Sequence, residues 1–255
     1  MVKFIPEEGN IISFLTDSHS LNCALGGQGI ETGQLVVLQS PTGDGKTTAL
    51  QRLALQAADQ GHKVAFVSLG EQSMKVLQAK LICMLIGIPY KGKKAARYTE
   101  AQLEMIKRTQ EPDSSYQPIL QNIDYSYGDG CSGEVNLLMH VRKLADEGYK
   151  FIFLDYLGNL IAKNNDNQYM FLATTANKLT QLAEEKDITI ITAMQTNREF
   201  SKAMREEDFD VTSVDENFMQ DSIGVARKAT ICISWFTYKG SRYLNLYKNR
   251  DYSDK

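Results

Sequence analysis

With 255 residues, 43% hydrophobic and 23% charged, the chain is long enough for a sizeable core and too evenly mixed to be disordered or low-complexity. A net charge of -3 and an isoelectric point near 5.7 exclude a globally basic surface, so any contact with nucleic acid has to come from local loops or an assembled channel. No apolar run approaches the length of a membrane span, and MVKFIPEEGN lacks the basic-then-apolar order of a signal peptide.

In chain order, NIISFL crowds Ile11, Ile12, Phe14 and Leu15 into a short helix-length stretch, which docks either on a neighbouring subunit or on its own core. Residues 1–20 read as a short N-terminal arm or linker, and 21–255 as one domain. QLVVLQS (34–40) is a buried strand leading into the loop SPTGDGKTT, and KTTALQRLALQAADQG is a helix closed by Gly61. KVAFVSL (63–69) is the next strand. SMKVLQAKLICMLIGI (73–88) is apolar all round, which predicts a largely buried helix ended by Pro89. From Pro89 to Gly130 the chain turns polar around a helix TEAQLEMIKRTQ and a strand PILQNID, an excursion and not a second domain.

The alternation then resumes with helix GEVNLLMHVRKLADEG, strand KFIFLDY (150–156), helix QYMFLATTANKLTQLAEEK (168–186) and strand ITIITAM (188–194). Residues 199–220 are charged and aperiodic, and so either a functional loop or disordered. ATICISWF and YKGSRYLNLYKN form a closing pair of strands with Lys239-Gly240 as the turn. Strands alternating with helices predict an α/β fold, a mostly parallel sheet flanked by helices with a C-terminal antiparallel hairpin. Cys23, Cys83, Cys131 and Cys232 show no C-x-x-C spacing, and His19, His62 and His140 are equally dispersed, so neither set reads as a metal site. Cys83 and Cys232 lie inside apolar runs as reduced, buried thiols, which points to a reducing, cytoplasmic compartment.

SPTGDGKTT departs from the phosphate-binding pattern G-x-x-x-x-G-K-[ST] only at Ser40, a small residue at the strand exit where the first glycine contributes least to the cradle. Gly43 and Gly45 let the chain curl around an anion, Lys46 supplies the cation for the β- and γ-phosphates, and Thr47 the hydroxyl for magnesium. The candidate nucleotide-binding set is therefore Ser40, Thr42, Gly43, Asp44, Gly45, Lys46, Thr47 and Thr48. Asp155, ending FIFLD, is the expected second magnesium carboxylate, or else a simple sheet terminus. Glu71, just after KVAFVSLG, is the expected general base, or else an acidic charge favouring the next helix dipole. Gln195 stands where an amide can report loss of a γ-phosphate, or where it merely caps a strand. Lys248 and Arg250 alternate along the last strand, and so share one face.

Together these residues resemble the RecA-like P-loop core of DnaB-type hexameric replicative helicases, especially phage and plasmid members, over nearly the whole chain. LNCALGGQGIETGQLVVLQSPTGDGKTT is similar to that family's approach to its Walker A loop, VSLGEQS to its S-L-E strand end, LDYLGNL to its Walker B segment, MQTNR to S-Q-L-N-R and KNRD to K-x-R. The resemblance implies ATP and Mg2+ as cofactors and a homo-oligomeric, hexameric ring that hydrolyses ATP between subunits. It further implies single-stranded DNA in a central channel and a primase or helicase loader as partner, in a bacterial or phage-infected host cytoplasm. Lys248 and Arg250 then reach the neighbouring subunit's γ-phosphate. Gly70 shifts the S-L-E pattern, and FMQDSIG matches the family's DNA-loop ending R-E-S-G only loosely. The expected DNA contacts are Lys202, Arg205 and the backbone amides of Phe218, Met219, Gln220, Asp221 and Ser222. The family's large N-terminal helical domain is expected to be absent. Two rivals stay open: a recombinase-like or clock-like RecA-fold ATPase that does not unwind, and a nucleotide-dependent adaptor.

Overall fold

A computed structural model describes residues 12–127, 133–162, 167–219 and 223–251. The elements run β1 (Ser13–Phe14), α1 (His19–Ala24), β2 (Ile30–Glu31), β3 (Leu35–Ser40), α2 (Lys46–Asp59), β4 (Val64–Ser68), α3 (Met74–Leu85), α4 (Glu100–Thr109), α5 (Gln117–Gln121) and β5 (Ile123–Tyr127). They continue α6 (Glu134–Asp146), β6 (Phe151–Asp155), α7 (Gln168–Lys186), β7 (Thr189–Gln195), α8 (Arg198–Ala203), α9 (Ile223–Lys228), β8 (Ile231–Tyr238) and β9 (Ser241–Asn249). Seven strands form one sheet in the order β5-β4-β6-β7-β3-β8-β9, parallel throughout except for β9, which runs antiparallel to β8.

Alternate residues of each central strand feed two cores, one on each face, which is why these strands read as unbroken apolar runs. In β4, Val64 and Phe66 join Leu50, Ala54 and Leu77 on the face covered by α2 and α3. Ala65 and Val67 join Leu137, Leu172 and Val225 on the face covered by α6, α7 and α9. Because β4, β6, β7 and β3 are neighbours in the sheet, their carboxyl ends form one row, the edge where open α/β sheets bind ligands.

Several elements differ from the sequence expectation. PILQNID is not one strand: Pro118 sits in the first turn of α5, where its missing N–H costs nothing, and β5 begins at Ile123. α3 ends at Leu85, with Gly87 at φ 70° following, so Pro89 is not its terminator. Only Leu77, Leu81 and Cys83 of α3 are buried, and a cavity of about 620 Å³ lies between α3, Tyr90, Tyr98 and α4.

Residues 199–219 are ordered around their own aromatic cluster of Phe200, Phe209, Phe218, Phe236 and Tyr238. The short helix α9 has no counterpart in the sequence expectation. Phe14 lies on the chain's own core, edge-on to Phe151 with ring centres 5.0 Å apart, while Leu15 is exposed and Ile11 lies outside the described residues. Cys83 and Cys232 are free and buried, Cys23 is exposed, and Cys131 lies outside the described residues. The Lys239-Gly240 turn has positive φ at both positions, 46° and 79°, as a tight two-residue hairpin requires. Among the described residues, no helix is long and apolar enough to cross a membrane.

Candidate active site

The loop after β3 is shaped by two left-handed glycines, Gly43 at φ 79° and Gly45 at φ 87°, and α2 starts at Lys46 immediately beyond. Ser40 is fully buried as the last residue of β3, paired in register with Gln195 of β7, and its carbonyl accepts the Thr196 N–H at 3.1 Å. A serine is accommodated there because the position belongs to the sheet and not to the curled part of the loop. Lys46 donates to the Pro41 carbonyl at 3.5 Å and lies 5.3 Å from the centre of the Tyr156 ring. Burial pushes its pKa down, against the opposing pull of Glu71, Asp155 and Asp44.

One hydroxyl joins the two carboxylates. Thr47 Oγ1 donates to Asp155 Oδ1 at 3.1 Å and stands 3.5 Å from Glu71 Oε2. The glycine that shifts the S-L-E pattern makes this possible: Gly70 is left-handed at φ 94°, and Ser68 Oγ donates to the Gln72 carbonyl at 2.9 Å to close the turn that presents Glu71. Asp155 is fully buried and its pKa is raised to about 7, chiefly by burial and then by the like charge of Glu71, with the Thr47 hydrogen bond opposing. Its Oδ2 is buried with no hydrogen-bond partner among the described residues. Glu71 is exposed at the lip of the site.

At the end of β7 the Gln195 amide donates to Thr42 Oγ1 in the phosphate loop. The next residues also reach the 217–219 segment. Asn197 N–H donates to the Phe218 carbonyl at 2.7 Å, its side chain to the Asn217 carbonyl at 2.7 Å, and Thr196 bridges to Met219. One strand end therefore touches both the phosphate loop and the 215–219 segment.

Lys248 and Arg250 lie elsewhere. Lys248 donates to the carbonyls of Ala226 at 2.5 Å and Arg227 at 3.1 Å, and Arg250 also donates to Arg227, so both cations rest on the carboxyl end of α9. Lys202 and Arg205 are exposed, on and just after α8. The expectation for the Phe218 and Met219 amides is corrected: they donate to Asp215 at 3.3 Å and Glu216 at 3.1 Å, closing a turn, and are not free to grip a phosphate. Gln220, Asp221 and Ser222 lie outside the described residues.

Three neighbours of the loop were not singled out from the sequence: Tyr156 beside Lys46, and Thr237 and Arg242 against Asp44. Tyr156 directly follows Asp155 and was findable. The other two lie about 190 residues beyond the loop, where only the hairpin register brings them to it.

A family model described as the DnaB-like helicase C terminal domain matches residues 15–209. Among solved structures, one described as an ATPase domain superposes with a TM-score of 0.77 at 19% identity, covering 96% of this chain and 86% of that one. A second, described as a DnaB-like replicative helicase and its interactions with primase, gives 0.76 at 20% identity; it is covered over 58% of its length against 96% of this chain. No match to a curated protein was found. The superpositions carry the fold, a RecA-like sheet with its antiparallel hairpin, and the family model carries the membership: this chain belongs to the DnaB-like helicase C-terminal domain family.

Proposed function

We propose that the chain is the ATP-driven motor of a replicative DNA helicase, hydrolysing ATP between subunits of a ring to move along single-stranded DNA and separate a duplex. The observation that carries this reading is the convergence of Lys46, Thr47, Glu71 and Asp155 on one row of strand ends, with a single hydroxyl in reach of both carboxylates.

The residues fit a nucleoside triphosphate with magnesium. Gly43 and Gly45 leave the loop open for an anion, and Asp155 Oδ2, buried with no hydrogen-bond partner among the described residues, fits a cation once the carboxyl is ionised. Among the described residues, no group of three or more His, Cys, Asp or Glu could hold a metal alone. Thr47 and Asp155 would thus hold Mg2+ together with phosphate oxygens, and the ion would supply charge neutralisation across the β- and γ-phosphates. Lys46 would neutralise the same phosphates from the loop side. Glu71, exposed to water, would accept the proton of the attacking water molecule.

Gln195 would exchange Thr42 for the γ-phosphate and pass the change through Asn197 to residues 217–219. Lys248 and Arg250 would act on the next subunit's γ-phosphate; their seat on α9, and not at their own loop, suits a trans role. The proposed partners are further copies of this chain as a hexamer, single-stranded DNA near the exposed Lys202 and Arg205, and a primase or loader.

The test is DNA-stimulated ATPase and fork unwinding by the purified oligomer, alongside Glu71→Gln. The variant should keep ATP affinity and lose about a hundredfold in turnover, the scale of a lost general base. Turnover without strand displacement would favour the recombinase-like rival. Feeble turnover indifferent to Glu71→Gln would favour an adaptor.

A further inference from the structure

A carboxylate inside a loop built to hold phosphates is an electrostatic conflict that needs a counter-charge. Asp44 stands between the two left-handed glycines, and the structure shows where its charge is directed. Its carboxylate accepts the Thr237 N–H at 2.6 Å and the Thr237 hydroxyl at 2.8 Å. Arg242 lies 3.4 Å from Asp44 Oδ1 and donates to the Asp44 backbone carbonyl at 2.7 Å. The guanidinium in turn lies over the Trp235 ring, 5.0 Å from its centre.

These contacts come from the tip of the β8–β9 hairpin, in which Thr237 and Arg242 are paired in register. Alternation sets Trp235 and Thr237 on the face toward the loop, while Phe236 and Tyr238 join the aromatic cluster with Phe200 on the other. The tight Lys239-Gly240 turn fixes the register, and with it the fit of Arg242 to Asp44.

We propose that Thr237 and Arg242 are positioning residues for the nucleotide: by seating Asp44 on the hairpin and cancelling its charge, they hold the phosphate loop in an anion-accepting state. The proposal rests on the phosphate-loop reading above. With Arg242 removed, the Asp44 carboxylate keeps only its Thr237 hydrogen bonds and competes with the phosphates for Lys46, and triphosphate binding weakens by about tenfold, the scale of one partly screened like charge nearby. The loss acts on binding and not on the chemical step.

The experiment is a double-mutant cycle on the purified chain with the Mg2+ complex of a non-hydrolysable ATP analogue. Affinity is read by calorimetry, and by the fluorescence of Trp235, the chain's single tryptophan. Arg242→Ala should weaken binding about tenfold, less at high salt, and should raise KM for ATP with kcat within about twofold. In an Asp44→Asn background the same change should have less than about a twofold effect. An equal loss in both backgrounds, or none in either, overturns the proposal; if Arg242→Ala does not fold, Arg242→Gln carries the same comparison.

Lys46→Ala, measured in parallel, separates the two readings. If the wild type fails to bind the analogue, or binds it equally well without Lys46, the phosphate-loop reading itself is at fault. Lys46-dependent binding that ignores the Asp44–Arg242 pair overturns this inference alone.

Discussion

Replacing Phe200 with alanine removes the ring around which residues 198–219 are organised. Phe200 is fully buried and meets Phe209, Phe218 and Phe236 edge-on, at centre distances of 5.9, 5.3 and 5.4 Å. Deleting a buried phenylalanine side chain costs about 3–5 kcal/mol, and three edge contacts put this site in the upper part of that range. The cluster is distinct from the two cores that cover the sheet faces, so the loss should fall on the segment and on the hairpin that carries Phe236 and Tyr238, and not on the central strands. Hydrogen exchange reads this directly. The Met204 amide, bonded to the Phe200 carbonyl, and the Asn197 amide, bonded to Phe218, should lose about a hundredfold or more in protection, while β3 and β6 amides keep theirs. ATP binding should hold within about threefold, because the loop's own contacts are untouched, and single-stranded DNA binding should fall. Unchanged protection at Met204 and Asn197, or an equal loss in β3 and β6, would refute the reasoning.

Asp155→Asn should stabilise the nucleotide-free chain at alkaline pH. The pKa of Asp155 is raised to about 7, so the folded chain holds a proton that the unfolded chain, at its ordinary 3.8, has released. Folding stability therefore falls as pH rises between those values. The gain from Asp155→Asn grows to about 4 kcal/mol above pH 7 and vanishes toward pH 4. Denaturant unfolding at pH 5 and 8 checks the sign, and a destabilised variant or a pH-independent gain would contradict it. Gln195→Ala should leave KM for ATP within about threefold yet uncouple turnover from DNA, since its amide links the phosphate loop to the strand end bonded to Phe218. Intact DNA stimulation in that variant would remove the relay.

The parts legible in the sequence are those fixed by local pattern. β3, β4 and β6 are buried on both faces, so their apolar runs stand out, and the loop between β3 and α2 is a contiguous motif. Residues 168–186 read as a helix with the bounds that α7 has, because Asn167 caps it and Asp187, left-handed at φ 47°, stops it. PILQNID divides between α5 and β5 because a short apolar run does not distinguish a helical turn from a strand, and Pro118 favours the former.

The apolar character of α3 predicted more burial than the chain itself provides, for part of that helix lines a cavity. The 199–219 segment reads as aperiodic because its order comes from five aromatic rings spread over 39 positions, Phe200 to Tyr238, and not from any repeat. The Thr237 and Arg242 contacts with Asp44 depend on hairpin register and on β8 lying beside β3, neither of which a linear reading supplies. The two carboxylates were readable one by one; their sharing of the Thr47 hydroxyl was not.

Mixed oligomers test most directly the proposal that hydrolysis belongs to an interface between subunits. Arg250→Ala alone should bind ATP almost normally and lose about a thousandfold in turnover, the scale of a missing arginine finger, with Lys248→Ala less severe. Doped into an excess of Lys46→Ala subunits, which lack the loop cation but keep Arg250, the Arg250→Ala chain should regain activity, because its intact loop then faces a neighbour's arginine. Wild-type turnover by Arg250→Ala alone, or mixed oligomers confirmed by mass in which no activity returns, would contradict the account.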